Sequence, residues 1–185
     1  MRIGGETLDR LEAAVVLGAG GTFTATALTE RAKWRRSQDA RWDDKRLAVY
    51  SEYATALKEC MDLAFRLAAA RGYPAVALPI DIDTGLQALA DAETTKTIKW
   101  EAVLLLGSPQ AVSAAREWNR AAWELGWAAK GHAVEHADYT RLYAETGRRR
   151  NAFYEAARAD LGVRSGELPP GDQPWQLPGA GSPTS

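Results

Sequence analysis

His132 and His136 flank Glu135 in the order His-x-x-Glu-His, and they are the only histidines of the chain. On one helix, positions i and i+4 share a face. Both imidazoles could then hold one Zn²⁺ while the glutamate activates a bound water, as in the inverted zinc-hydrolase spacing. A catalytic zinc needs a third protein ligand. Downstream, Asp138, Glu145, Glu155 and Asp160 offer carboxylates, but in no recognised partner motif. The pattern also adjoins Gly131, where a helix start frays in solvent. Two solvent-facing histidines near a loop are the plainer expectation. His132, Glu135 and His136 therefore stand as metal candidates without an assigned ion, and no residue takes a catalytic role. The chain has no Glu-x-x-His pair for a di-iron bundle, no nucleophile elbow and no P-loop, so no cofactor is expected.

A second stretch with chemical potential is "VVLGAGGTFTATALTERAKWRR", residues 15–36. Its Gly18-x-Gly20-Gly21 resembles a dinucleotide-binding turn, in which backbone N–H groups approach a pyrophosphate. That motif needs a second parallel strand and an acidic residue after the helix. Here a helical pattern continues instead to Arg71. The alternative is a membrane span. Ala13 to Thr29 is seventeen residues without a charge, against the about twenty that a span requires. Gly and Thr dilute Val15, Val16, Leu17, Phe23 and Leu28. Residues 31–46 then hold seven basic groups and three acids, whereas Glu6, Asp9 and Glu12 precede the stretch against Arg2 and Arg10. That asymmetry would keep the bulk of the chain cytoplasmic, and the acidic leader does not suit a secretory signal. Arg31, Lys33, Trp34, Arg35 and Arg36 would meet lipid head groups. Ala14, Gly18, Thr22 and Thr26 recur every four residues, a small-residue face on which two spans could associate. The plainer alternative is the frayed start of a soluble, cytoplasmic helix.

Trp42-Asp43-Asp44-Lys45-Arg46, followed by Tyr50 to Leu57 as "YSEYATAL" and Leu105 to Trp118 as "LLGSPQAVSAAREW", resembles small uncharacterised actinobacterial proteins. In these a single span leads into an Arg-rich helix and a helical bundle. The resemblance covers most of residues 10–161 and implies an architecture, not a chemistry.

These groups would be carried almost entirely on helices. A chain of 185 residues with 46% hydrophobic and 25% charged residues can fill one sizeable core. A net charge of −1 argues against nucleic acid as a partner. The lone cysteine, Cys60, rules out an internal disulfide, fits a reducing compartment and lies on an apolar stripe as an inert thiol. The first helix is expected from about Asp9 to Arg71. Its stripe is Leu47, Tyr50, Ala54, Leu57, Met61, Ala64 and Ala68, widened by Val49, Tyr53, Ala56, Cys60, Leu63 and Leu67. Gly72-Tyr73-Pro74 ends it. Thr84-x-x-Gln87 suggests the capping box of a second helix, with Leu86, Leu89, Trp100, Val103 and Leu104 inside. Glu93, Lys96 and Thr97 dilute its middle. Gly107-Ser108-Pro109 separates helices two and three. Helix three carries Ala111, Ala115, Trp118, Ala122, Leu125 and Ala129 inward, and Trp123 and Trp127 are expected to join that core. Lys130-Gly131 closes it. Helix four runs from about Val134 to Leu161, with Tyr139, Leu142, Tyr143, Phe153, Ala156 and Ala157 inside and an interruption at Gly147 to Arg150.

The expected organisation is thus a tail at 1–12, a candidate transmembrane segment at 13–33, a helical bundle at 34–161 and a disordered tail at 162–185. The fold class is all-α, an up-down bundle of about four helices with a long, extended N-terminal helix. The expected role is non-enzymatic: a membrane-anchored scaffold or interaction module. Its partners would be the lipid bilayer and a second copy or another protein. A soluble helical-bundle adaptor or regulator is the alternative, and a zinc hydrolase the third reading.

Overall fold

The computed structural model describes Trp34 and residues 41–74, 77–164 and 166–171. The candidate span, the small-residue face at Ala14, Gly18, Thr22 and Thr26, and the head-group residues Arg31, Lys33, Arg35 and Arg36 lie outside the described residues, as does the tail beyond residue 171. The chain divides between Asp44 and Lys45 into two units. In the first, Trp34 and residues 41–44 are helical, with Trp34 and Trp42 exposed. The second is an up-down bundle of four helices: α1 (45–70), α2 (Ile82–Leu106), α3 (Pro109–Ala129) and α4 (His136–Asp160). Among the described residues every regular element is a helix.

Local chemistry sets the boundaries. Gly72 closes α1 at φ 87°, a left-handed conformation that a side chain resists. Tyr73 N–H donates to Ala68 O and Gly72 N–H to Ala69 O, the paired bonds of a Schellman cap. Gly131 and Gly162 close α3 and α4 with the same bond pattern. Ser108 Oγ accepts from Ala111 N–H, and Pro109 takes the first position of α3, as Gly107-Ser108-Pro109 predicts. The capping box at Thr84 is corrected. The cap is Asp81, whose Oδ1 accepts from both the N–H and the hydroxyl of Thr84. Thr84 is thus the cap's partner, and these two bonds hold the Asp81 carboxyl below its usual range. The expected interruption of α4 is also corrected. The helix runs unbroken through Gly147 to Arg150. Glu145 accepts from Arg148 Nη2 at 2.7 Å and Arg149 Nε at 2.6 Å, so two of the three arginines are paired with a carboxylate one turn back.

α1 lies against all three partners. Tyr53 meets Trp100 of α2, Trp118 of α3 and Phe153 of α4 at ring separations of 5.6, 6.4 and 5.8 Å. Alanines at 54, 64, 68, 111, 115, 128 and 129 are buried, so helix backbones approach closely around these rings. The buried face of α1 is centred between the two expected rows. Tyr53, Leu57, Leu67 and Ala68 are almost fully enclosed, while Leu47, expected inside, is 54% exposed. Leu104 of α2 is likewise exposed. Cys60 is buried as expected, and burial pushes its thiol up to about 11. Polar contacts fasten both ends of the bundle. At one end, Tyr50 OH donates to Asp160 Oδ2, Arg46 Nε to Leu106 O, and Ser108 N–H lies 3.3 Å from both Tyr50 OH and Asp160 Oδ2. At the other, Arg71 Nε donates to Ala129 O at 2.9 Å and Tyr73 OH to Val134 O at 2.8 Å.

Gly85 lies where α2 closely approaches Leu67 of α1. A Cβ there would fall 2.7 Å from Leu67 Cδ2 and 2.8 Å from Ile80 Cγ2, and Leu67 is fully buried and has no room to yield. Gly85→Ala is therefore expected to destabilise by about 1–2 kcal/mol, overpacking outweighing the gain in helix propensity. Gly126 on α3 has open space at the same position, and Gly126→Ala should stabilise by about 0.5–1 kcal/mol. Urea unfolding of the two variants checks the opposite signs.

Candidate functional site

The His-x-x-Glu-His spacing predicts one helical face, and the structure corrects it. Residues 132–135 are not helical, Glu135 is the residue before α4, and His136 is its first residue. The two histidines therefore share no helix face. His136 stacks on Tyr73 with ring centroids 5.2 Å apart, and its Nε2 lies 3.3 Å from Gly72 O. His132 is exposed. Among the described residues no group of three or more His, Cys, Asp or Glu could hold a metal ion, and no helix is long and apolar enough to cross a membrane.

The bundle instead presents a cleft that the sequence reading missed. Lys96 and Trp100 are one turn apart on α2, and Arg116 and Asn119 one turn apart on α3. With Thr97 and Tyr53 they line a cavity of about 240 Å³. The Arg116 guanidinium sits 5.8 Å from the centroid of the Trp100 ring. Tyr53 is anchored beneath by its hydroxyl, which donates to Ala115 O at 3.3 Å. Burial pushes the Tyr53 phenol well above its ordinary range, so it is neutral at physiological pH. Among the described residues Lys96 and Arg116 have no carboxylate partner, although neighbouring Lys99 pairs with Glu52 and Lys130 with Glu93, at 2.8 and 2.7 Å. Asn119 Oδ1 is buried and has no hydrogen-bond partner among the described residues. The available signal was the polar run that dilutes the middle of α2. Lys96 and Thr97 interrupt an apolar stripe where the helix lines a cleft and not the core.

A narrower groove continues from Lys96 and Asn119 past Cys60, Glu93 and Trp123 to Gly126 and Lys130. Trp123 and Trp127, expected in the core, lie on the surface at its side, 54% and 39% exposed and edge to face at 5.3 Å. Trp118 alone of the three is enclosed, with no accessible surface. α3 buries Ala111, Ala115, Trp118, Ala121, Leu125, Ala128 and Ala129, with Val112, Ala114 and Ala122 partly buried against the core, and Trp123 and Trp127 fall outside that arc.

Of the expected head-group residues only Trp34 is described, helical and 64% exposed. Comparison of the chain with protein-family models, with curated proteins and with solved structures finds no match.

Proposed function

We propose that this helical bundle is a non-enzymatic interaction module tethered to the cytoplasmic face of a membrane. The observation that carries the interaction role is the tryptophan pair on α3. Large aromatics are normally used to fill cores, and two placed side by side in solvent mark a contact surface. The tether is supported by the charge asymmetry about residues 13–29, acidic before and strongly basic after. Arg31, Lys33, Trp34, Arg35 and Arg36 serve it as head-group contacts. Ala14, Gly18, Thr22 and Thr26 give a second copy a face to pair with.

Alkaline carbonate washing of membranes from cells expressing the full chain tests the tether. The chain is expected in the washed membrane fraction. A Leu17→Arg, Phe23→Arg variant is expected in the wash, since each arginine in the middle of a span costs about 2.5–3.5 kcal/mol. A native chain found wholly in the wash would remove the tether and leave the soluble adaptor.

A further inference from the structure

We propose that the cleft between α1, α2 and α3 is a binding site for a small organic carboxylate with a flat aromatic body. The charge argument comes first. Lys96 and Arg116 bring two positive groups to one cavity, and neither meets a carboxylate among the described residues, while Lys99 on α2 and Lys130 at the end of α3 do. Cations gathered in a concave, partly enclosed space attract an anion more strongly than cations spread over an open face. Arg116 also offers two parallel N–H groups, the geometry that grips a carboxylate.

Shape selects among anions. Trp100, partly exposed, gives the cavity an aromatic side, with the enclosed ring of Tyr53 behind it at 5.6 Å. A bare inorganic anion would leave the open part of the indole in water, whereas a planar ring covers it. At about 240 Å³ the cavity lies just below the usual range of drug-sized pockets, which limits the ligand to a single ring with its acid group. The Asn119 amide is the remaining polar element. Its buried Oδ1 has no partner. With that oxygen turned inward, the amide N–H₂ is the end of Asn119 left to the cavity, and it donates to the bound anion. The site is built by the bundle alone and does not depend on the tether.

Benzoate is the probe. The full chain, labelled with ¹⁵N, is titrated with benzoate while the indole N–H of Trp100 is followed by NMR. A saturable shift of that resonance is expected. Lys96→Met and Arg116→Gln should each weaken binding about tenfold, the loss of one charge-assisted contact. Benzyl alcohol, close in size and uncharged, should leave the resonance unmoved. Both substituted side chains lie outside the core, and circular dichroism confirms that the variants keep their helices. No shift with benzoate, an equal response to benzyl alcohol, or undiminished affinity in both variants would each overturn the proposal. Inorganic phosphate binding as tightly as benzoate would overturn its aromatic half.

Discussion

Trp118→Ala is expected to lower the stability of the bundle by about 3–5 kcal/mol, a large part of the about 5–15 kcal/mol typical of a domain. Trp118 has no accessible surface. Its indole lies 5.5 Å from Phe153, 6.0 Å from Tyr154 and 6.4 Å from Tyr53, so one side chain joins α3 to both α4 and α1. Its neighbours along the inner face of α3 are alanines, at 111, 115 and 122. Small residues cannot reach into the space that the indole vacates, and the cavity persists with its full cost. Guanidinium unfolding followed by far-ultraviolet circular dichroism measures the loss. Trp118→Phe is the informative companion. The indole Nε1 is buried without a partner among the described residues, so phenylalanine gives up apolar volume but also removes an unsatisfied donor. It should cost well under half as much as alanine. Trp123→Ala, at an exposed position of the same helix, should change stability by no more than about 0.5 kcal/mol. Equal losses at 118 and 123 would contradict the division of these tryptophans between core and surface.

That division also shows what periodicity can tell. The spacing of α3 gives a helix and a stripe, and Ala111, Ala115, Trp118, Leu125 and Ala129 are buried as expected. It does not say how wide the buried arc is. Trp123 and Trp127 are as apolar as Trp118, and only the position of the neighbouring helices places them outside. On α1 the same limitation appears as a rotation: the true centre runs between the two apolar rows, and Leu47 at the margin is left in solvent. Turn chemistry was more legible because it is local. Gly72, Ser108, Pro109 and Gly131 act through their own backbone geometry and neighbouring N–H groups. Where it misled, at Thr84, two overlapping local signals competed, and Asp81 is the better acceptor at the start of a helix. The histidine pattern failed for a related reason. Spacing implies a shared face only within a helix, and three residues separate His132 from the start of α4. The cleft is the opposite case. Its residues are ordinary in sequence, two short pairs on different helices, and only the packing of α2 beside α3 brings them together.

Raising the pH above about 10 is expected to unfold the bundle in one cooperative step, and tyrosine is the cause. Tyr50, Tyr53 and Tyr139 are 3%, 1% and 1% exposed. Burial, reinforced by the hydrogen bond to Asp160, pushes the Tyr50 phenol up to about 12. Burial likewise raises Tyr53 and Tyr139 well above their ordinary range. In the unfolded chain a tyrosine loses its proton near pH 10. Below that pH the phenols are neutral in both states, and the stability they support is fully present. Above it the unfolded state releases protons that the folded state retains, so stability falls with rising pH until the folded phenols also titrate. Each such group contributes about 1.4 kcal/mol per pH unit, and three together about 4 kcal/mol per unit. That slope holds for the two units up to the Tyr50 value and removes about 8 kcal/mol, which lies within the about 5–15 kcal/mol stability of an ordinary domain. Tyrosinate absorbance and helical circular dichroism should therefore change together. A tyrosinate signal for these three residues that grows near pH 10 while the helices persist would show that the rings are open to solvent. Tyr139→Phe separates the contributions. The Tyr139 hydroxyl is buried without a partner among the described residues, so its removal deletes one titrating group at little cost to packing. The variant should be as stable as the native chain at neutral pH and should unfold at higher pH. Tyr50→Phe also removes a titrating phenol, but it leaves Asp160 and Ser108 N–H at the end of the bundle without their shared hydroxyl. It should lose stability at neutral pH, so two substitutions of identical chemistry will differ because one hydroxyl is bonded and the other is not.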